Sequence, residues 1–418
     1  MNLNDWLGYI ESTHPSTIDL SLERIKLVAK RLNLNIPFPL ITVGGTNGKG
    51  STCAILESIY KTAGYKVGCY TSPHFLLFNE RIKVDAQPIS DHLICDALLK
   101  IESVREDVSL TYFEYGTLAA MIIFAEESID VAILEIGLGG RLDAVNIFEP
   151  DCSIVTTVDL DHMDYLGETR EAIGFEKAGI YRANKSAICG DFNPPKSLIQ
   201  HAESIHAPLK LIGKHFNYEL HHDSFDFLID SSFLMNVPLP NLQGNFQIAN
   251  ASMALMAVKS IEDKLPVNES AIQKGIASAY LLGRFQEIQK NPSLILDVAH
   301  NPQAALSLSH NLRGQPIKGK TIAVFSILAD KDILGVVRAL SKDIDDWYIS
   351  MIQHERAASV QMIEDMIKKI NPSFRVMQFK NIQKAYQFAF KKASENDRII
   401  VFGSFFTVAD IMRIMPKL

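Results

Sequence analysis

The chain has 418 residues, 47% of them hydrophobic and 21% charged, with a formal net charge of −7. That length suggests two or three domains, and the composition is ordinary for a soluble globular protein. The acidic balance argues against nucleic acid as the main partner, and no apolar run reaches the ~18 residues of a membrane span. In chain order, Met1 to Asp5 lacks a basic region followed by an apolar core, so no signal peptide is expected. Leu22 to Leu32 places apolar residues at helical spacing and predicts a first helix.

Pro39 to Thr52 reads PLITVGGTNGKGST. An apolar, β-branched run ends in a glycine-rich turn, followed by a Lys, two hydroxyls and a helical pattern from Ala54. This is the strand, loop and helix order of a phosphate cradle. Glycines let the backbone wrap phosphate oxygens, and N–H groups at the helix start face the anion. Lys49 would sit on the outer phosphates and Ser51 or Thr52 on a magnesium ion. The spacing departs from the usual P-loop: Gly44 to Gly48 encloses three residues rather than four, and Gly50 follows Lys49.

Lys66 to Tyr70 predicts a second strand, ending in Thr71-Ser72-Pro73-His74, and Phe75 to Ile82 reads as a loop. Ser90 to Val104 and Tyr115 to Glu127 read as helices, with Ser109 to Glu114 between them. Asp130 to Ile136 is a near-continuous apolar strand, as in a parallel sheet covered on both faces. It runs into Gly137 to Asp143. Ser153 to Val158 is another such strand, running into Asp159-Leu160-Asp161-His162. A helix over Glu168 to Tyr181, a strand over Ser186 to Cys189, hairpins within His215 to Val237 and a helix over Gln247 to Ile261 follow. Near Leu282 the pattern restarts. Strands at Ser293–Asp297, Thr321–Ser326, Trp347–Ile352, Arg375–Phe379 and Arg398–Phe402 each precede a helix. The fold class expected is α/β: a P-loop-type, mostly parallel sheet with flanking helices over residues 1–286, and a second, smaller Rossmann-like α/β domain over 287–418. The cysteines Cys53, Cys69, Cys95, Cys152 and Cys189 are scattered and read as reduced core residues of a cytoplasmic protein.

Ligands of such sheets bind at the carboxyl ends of the strands. Five candidate loops meet that rule: Gly44–Thr52, Thr71–Arg81, Thr111–Glu114, Glu135–Asp143 and Asp159–His162. Glu135 ends a buried strand, where a carboxylate is costly unless paired or metal-bound. Ser72, Glu135 and His162, from three strand ends beside the cradle, can share one divalent ion, although magnesium prefers oxygen ligands and the His is unusual. Lys177 reads from the residues alone as part of a solvated helix face. Asp297 and His300 read equally well as a strand-to-helix turn and as a ligand contact. A GTPase-type switch is disfavoured, because the one Asn-Lys pair, Asn184-Lys185, lacks the following Asp. An enzyme that activates its substrate with ATP fits better.

The stretches VGGTNGKGST, TSPHFLLFNERI, EIGLGGRLDAVN, VDLDHMDYLGETREAIGFEKAGI, GRFQ and DVAHNP resemble, in order and spacing, the folylpolyglutamate synthases of the Mur ligase superfamily. The resemblance covers nearly the full length, and the glycine after Lys49 is normal in that family. SLTYFEYGTLAA looks like the dihydropteroate-binding segment of its bifunctional members. The resemblance implies that ATP phosphorylates a carboxylate, of dihydropteroate or of a reduced folate, and that L-glutamate then displaces the phosphate to form an amide. It implies magnesium ligands at Ser72, Glu135 and His162 and a carbamylated lysine at Lys177. It places ATP at Thr46, Asn47, Gly48, Lys49, Gly50, Ser51, Thr52, Asn250, Arg284 and Asp297. It places the pterin side at Thr111, Tyr112, Phe113, Glu114, Arg141 and Leu142, and His300 near nucleotide and glutamate. Asp330–Asp332 and His354–Ala358 would approach the incoming glutamate. A monomer is the family-level expectation. The rivals are a monofunctional folylpolyglutamate synthase and a cell-wall Mur ligase. The latter usually carries an N-terminal UDP-sugar domain, for which the roughly forty residues before the cradle are too few.

Overall fold

The computed structural model describes residues 1–16, 18–229, 232–244 and 246–415. The chain divides into two units, one of Met1–Asn241 with Gln247–Tyr280 and one of Leu242–Phe246 with Leu281–Leu418.

In the first unit the described residues form an eight-stranded sheet from β1 (Leu40–Gly44), β2 (Val67–Tyr70), β3 (Ile82–Val84), β4 (Gln87–Pro88), β5 (Val131–Glu135), β6 (Cys152–Val155), β7 (Ser186–Cys189) and β8 (Leu209–Leu211). Their order is β4-β3-β2-β5-β1-β6-β7-β8. The six from β2 to β8 in that order are parallel, and β3 and β4 add an antiparallel edge. Every residue of β1, β2, β5 and β6 is buried, which explains their continuous apolar runs: helices cover both faces. Fully burying one such Val, Ile or Leu side chain contributes about 1.5–3 kcal/mol.

Helix Tyr112–Glu126 buries every residue from Glu114 to Phe124, so its core lacks a polar face. Its start differs from the sequence expectation. Tyr112, Phe113 and Glu114 are not a connecting loop but the first helical turn, closed by a capping box between Thr111 and Glu114. An additional helix, Leu3–Ser12, precedes the expected first one; it is capped by Asn2 and Asp5 and packs through Leu3, Trp6 and Ile10. The hairpin region forms a three-stranded antiparallel sheet of β9 (Phe216–Leu220), β10 (Ser224–Ile229) and β11 (Ser232–Pro238).

In the second unit the described residues form a six-stranded sheet of β12 (Gln286–Lys290), β13 (Ser293–Leu296), β14 (Thr321–Phe325), β15 (Asp346–Ile349), β16 (Arg375–Gln378) and β17 (Arg398–Phe402), in the order β12-β13-β17-β14-β15-β16. β12 is antiparallel and the other five are parallel. Trp347, Phe325 and Phe402 stack at its centre, with centroids 4.7–6.2 Å apart.

Candidate active site

β2, β5, β1 and β6 are consecutive neighbours with the same direction, so their carboxyl ends form one edge. Four of the five candidate loops leave from that edge. The fifth, Thr111–Glu114, reaches it because Phe113 packs on the loop after β5: a Cβ on Gly137 would lie 2.7 Å from its ring.

The glycine-rich turn is held from β6. Thr46 N–H donates to the Thr157 carbonyl at 2.7 Å, and the Asn47 carbonyl accepts from the hydroxyls of Thr156 and Thr157 at 2.6 and 3.2 Å. Thr46 Oγ1 donates to the Asp159 carbonyl and accepts from the Asp159 N–H, tying the cradle to the loop that carries His162. Gly48 has φ +92° and precedes helix Lys49–Thr62; a Cβ there would sit 2.5 Å from Oδ1 of Asn250. The variant turn therefore needs glycine at this position for both backbone and space. It also brings Asn250, two hundred residues later in the chain, against the cradle. Lys49 Nζ folds back onto the carbonyls of Gly45 and Thr46 at 3.1 and 3.3 Å. Ser51 and Thr52 are buried, and the Thr52 hydroxyl has no hydrogen-bond partner among the described residues. A buried orphan hydroxyl in the first turn of this helix fits an anion or its counter-ion.

Ser72 follows β2 and Glu135 ends β5. The Ser72 N–H donates to Glu135 Oε2 at 3.1 Å, so the hydroxyl-bearing residue and the buried carboxylate are neighbours. His162 follows β6 in a left-handed conformation, φ 52°, and its N–H donates to Asp161 Oδ1 at 2.9 Å. Among the described residues no three His, Cys, Asp or Glu side chains gather into a metal cluster. Ser72, Glu135 and His162 include only two of those types. Their donor set, one hydroxyl, one carboxylate and one imidazole, suits an ion that takes its other ligands from water and phosphate, as magnesium does.

Lys177 is not on a solvated face. It lies in helix Arg170–Ala178, is 4% exposed, and its backbone packs against the loop after β5. Gly140 packs so closely there that a Cβ would lie 2.8 and 3.0 Å from the carbonyls of Glu176 and Lys177. Burial and the Lys49 charge lower the Lys177 pKa from 10.5 to about 7, against the opposing pull of Asp161 and Asp143. Asp143 is pushed up to about 7 by burial, while the backbone N–H groups of Leu138 and Val145, at 2.8 and 3.0 Å, hold it in place. Asp143 and Asp161 were not singled out from sequence, although both lie inside the quoted motifs.

Around the aromatic turn, Tyr112 stands edge-on to Phe78 at 5.6 Å, and Arg81 lies 5.4 Å from the Tyr112 ring and 5.7 Å from that of Phe78. Arg81 Nε also donates to His74 Nδ1 at 2.8 Å. Phe113 packs on Tyr70 at 5.9 Å. Thr111 and Glu114 are buried and bonded to each other, and the Glu114 carboxylate also accepts from Arg24. Arg141 pairs with Glu176 at 2.9 Å and lies over the Phe175 ring; Leu142 is half-buried beside it.

The second unit holds a cluster of its own. The buried Asp297 accepts the N–H groups of Phe285 and Ala299 at 2.8 and 2.7 Å; burial raises its pKa, and Arg284 opposes the rise. Arg284 lies 5.5 Å over the Phe405 ring. His300 Nδ1 donates to the Val298 carbonyl at 2.8 Å, and Asn301 caps helix Pro302–Gly314. Asp332 caps helix Ile333–Leu340, the Ala329 N–H donates to the Arg356 carbonyl at 2.8 Å, and His354 stacks on Phe406 at 4.5 Å.

Residues 43–258 match the Mur ligase middle domain, and residues 283–405 match the Mur ligase, glutamate ligase domain. The dihydrofolate synthase/folylpolyglutamate synthase of Escherichia coli K12 is 43% identical over 99% of this chain and 95% of its own length. That of Haemophilus influenzae is 38% identical over 99% and 97%. The structure of E. coli FolC in complex with DHPP and ADP superposes with a TM-score of 0.94 at 43% identity, covering 99% of this chain and 97% of that one. A bifunctional folylpolyglutamate synthase/dihydrofolate synthase with Mn, AMPPNP and L-glutamate bound superposes with a TM-score of 0.91 at 41% identity, covering 99% and 98%. This chain belongs to the dihydrofolate synthase/folylpolyglutamate synthase family of Mur ligases.

Proposed function

We propose that this chain is an ATP-dependent amide ligase that adds L-glutamate both to dihydropteroate, forming dihydrofolate, and to reduced folates, forming folylpolyglutamates. The observation that carries this reading is the single edge on which a phosphate cradle, the Ser72–Glu135 pair, the buried Lys177 and the aromatic turn Tyr112–Phe113 adjoin. The names and bound ligands of relatives about 40% identical over nearly their whole length support both activities.

A carboxylate is a poor acyl donor. Its oxygen attacks the γ-phosphorus of ATP, ADP leaves, and an acyl phosphate forms. The α-amine of glutamate then adds to the carbonyl carbon, loses a proton, and the tetrahedral intermediate expels phosphate. Gly48 to Thr52 offer backbone N–H groups and hydroxyls to the phosphates, with Thr46 and Asn47 setting the turn. Lys49, released from the Gly45 and Thr46 carbonyls, places its charge on the transferring group. Ser72, Glu135 and His162 would hold magnesium, which when bound neutralises phosphate charge. Lys177 acts as a carbamate; its lowered pKa supports this, because only the neutral amine adds CO2. The planar rings at Tyr112 and Phe113, with Arg141 and Leu142, are assigned to the pterin side. Asn250, Arg284 and Asp297 are assigned to the nucleotide, and His300 to the nucleotide and glutamate. The boundary between the nucleotide-holding and glutamate-holding domains is placed by the sequence reading at residues 286 and 287, a few residues after the division of the chain between Tyr280 and Leu281 and inside β12. No helix among the described residues is long and apolar enough to cross a membrane, and all five cysteines are free, which supports the cytoplasm as compartment. A monomer is the proposed working form.

The test is glutamate- and magnesium-dependent phosphate release with 7,8-dihydropteroate and, separately, with a reduced folate. Turnover of both supports the bifunctional reading. Turnover of the folate alone makes the enzyme a monofunctional folylpolyglutamate synthase, and turnover of neither overturns the proposal.

A further inference from the structure

Glu114 sits in the aromatic turn, yet its carboxylate is engaged inside the protein. It is 3% exposed; Oε2 accepts the Thr111 N–H at 2.7 Å, and Nη2 of Arg24 donates to Oε1 and Oε2 at 3.2 and 3.4 Å. Arg24, in the first turn of helix Glu23–Leu32, is itself fixed. Its Nη1 donates to Ser21 Oγ at 3.0 Å and pairs with Asp19 at 2.9 Å. A second tie runs from Thr13 Oγ1 to the Leu110 carbonyl at 3.0 Å. Residues near the amino terminus therefore hold both sides of Thr111–Phe113.

We propose that Arg24 is a positioning residue for the acceptor, acting through Glu114 on the orientation of the Tyr112 and Phe113 rings. The inference rests on the acceptor-side reading of Thr111–Phe113 above. One nitrogen of Arg24, Nη2, serves both carboxylate oxygens while Nη1 is held by Ser21 and Asp19, and the same carboxylate closes the Thr111 cap. The direction of the first helical turn is thus set by a planar guanidinium whose two arms tie Glu114 to the Asp19–Ser21 segment, rather than by charge alone. Tyr112 and Phe113 follow that turn, because they are its first two helical residues. A role limited to neutralising a buried carboxylate would make a different prediction. Lysine supplies the same charge through one nitrogen and cannot hold Glu114 and the Ser21–Asp19 pair at once in the fixed geometry of a guanidinium, so it would satisfy neutralisation but not orientation.

The experiment compares the wild-type chain with Arg24→Lys and with the double variant Arg24→Gln/Glu114→Gln, which leaves no unpaired buried charge. KM and kcat are measured for 7,8-dihydropteroate and for a reduced folate, KM for ATP alongside, and thermal unfolding for each protein. The expected result is a rise of about tenfold or more in both acceptor KM values for Arg24→Lys, with KM for ATP and kcat at saturating acceptor within about twofold. The double variant, where it folds, shows the same split. Unchanged acceptor KM values in Arg24→Lys overturn the inference while leaving the assigned function standing. So does a loss in which acceptor KM, ATP KM and kcat all move with the unfolding temperature. A wild-type chain that turns over neither acceptor overturns the assigned function, and this inference with it.

Discussion

Lys177 offers the sharpest quantitative test. An ordinary lysine, with pKa near 10.5, holds less than about 0.1% of its amine neutral at pH 7; with a pKa of about 7 the neutral fraction is about one half. The nucleophile available to CO2 is therefore raised several-hundredfold or more. The gap corresponds to about 5 kcal/mol set against the charged amine, dominated by burial, and this is an upper estimate because the site can relax. At pH 6 only about a tenth of the amine is neutral, and at pH 8 about nine-tenths. Enzyme stripped of CO2 and assayed at pH 6 should be nearly inactive. It should regain activity on adding bicarbonate, faster at pH 8 than at pH 6, and 13CO2 should give one carbamate signal that Lys177→Met abolishes. The sign of the stability effect follows from the same values. The folded-state pKa of the unmodified amine is depressed, so between pH 7 and 10.5 the unfolded chain binds the extra proton and stability rises with pH through that window. Lys177→Met should flatten the slope and, at pH 6, raise the unfolding temperature relative to CO2-free wild type while removing activity. Full activity of rigorously CO2-free enzyme, or of Lys177→Met, would refute the reasoning.

Three further perturbations follow from the cradle and the acceptor turn. Lys49→Ala should lower turnover by at least about 10³ with little change in unfolding temperature, since its amine bonds only two backbone carbonyls of a half-buried turn; near-normal turnover would remove the cradle from the mechanism. Gly48→Ala should destabilise by about 2–4 kcal/mol, combining a left-handed backbone with a close contact to Asn250, as read from denaturant unfolding. Adding Asn250→Ala should recover the steric part alone, and full recovery would mean the backbone carries no strain. Thr111→Val should cost about 1 kcal/mol by opening the capping box and raise acceptor KM, whereas Thr111→Ser should do neither; equal effects of the two substitutions would sink the capping argument.

The strands of this protein are plain in the sequence because burial on both faces demands unbroken apolar runs. The loops that follow them are plain because glycine there answers to backbone geometry. DVAILEI and PLITVGG read as strands from their apolar runs, and topology alone gathers the loops that follow them, which carry Ser72, Glu135, His162 and Lys49. Other features depended on weaker signals. Helix Leu3–Ser12 escaped notice because only Leu3, Trp6 and Ile10 mark its buried side. The first turn of helix Tyr112–Glu126 reads as a loop by hydrophobic pattern, although Thr111 and Glu114 spell a capping box. Lys177 reads like any surface lysine because its burial is set by packing between elements distant in the chain, its helix lying against the loop around Gly140. The grip of Arg24 on Glu114 joins residues ninety positions apart. Local pattern reports what one element needs from its own neighbours, and so the sequence by itself determined the sheet, the phosphate cradle and the family. Desolvation and ion pairing depend on which elements are brought together, and so only the tertiary structure decided that Lys177 sits buried with a lowered pKa and that Glu114 faces inward to Arg24.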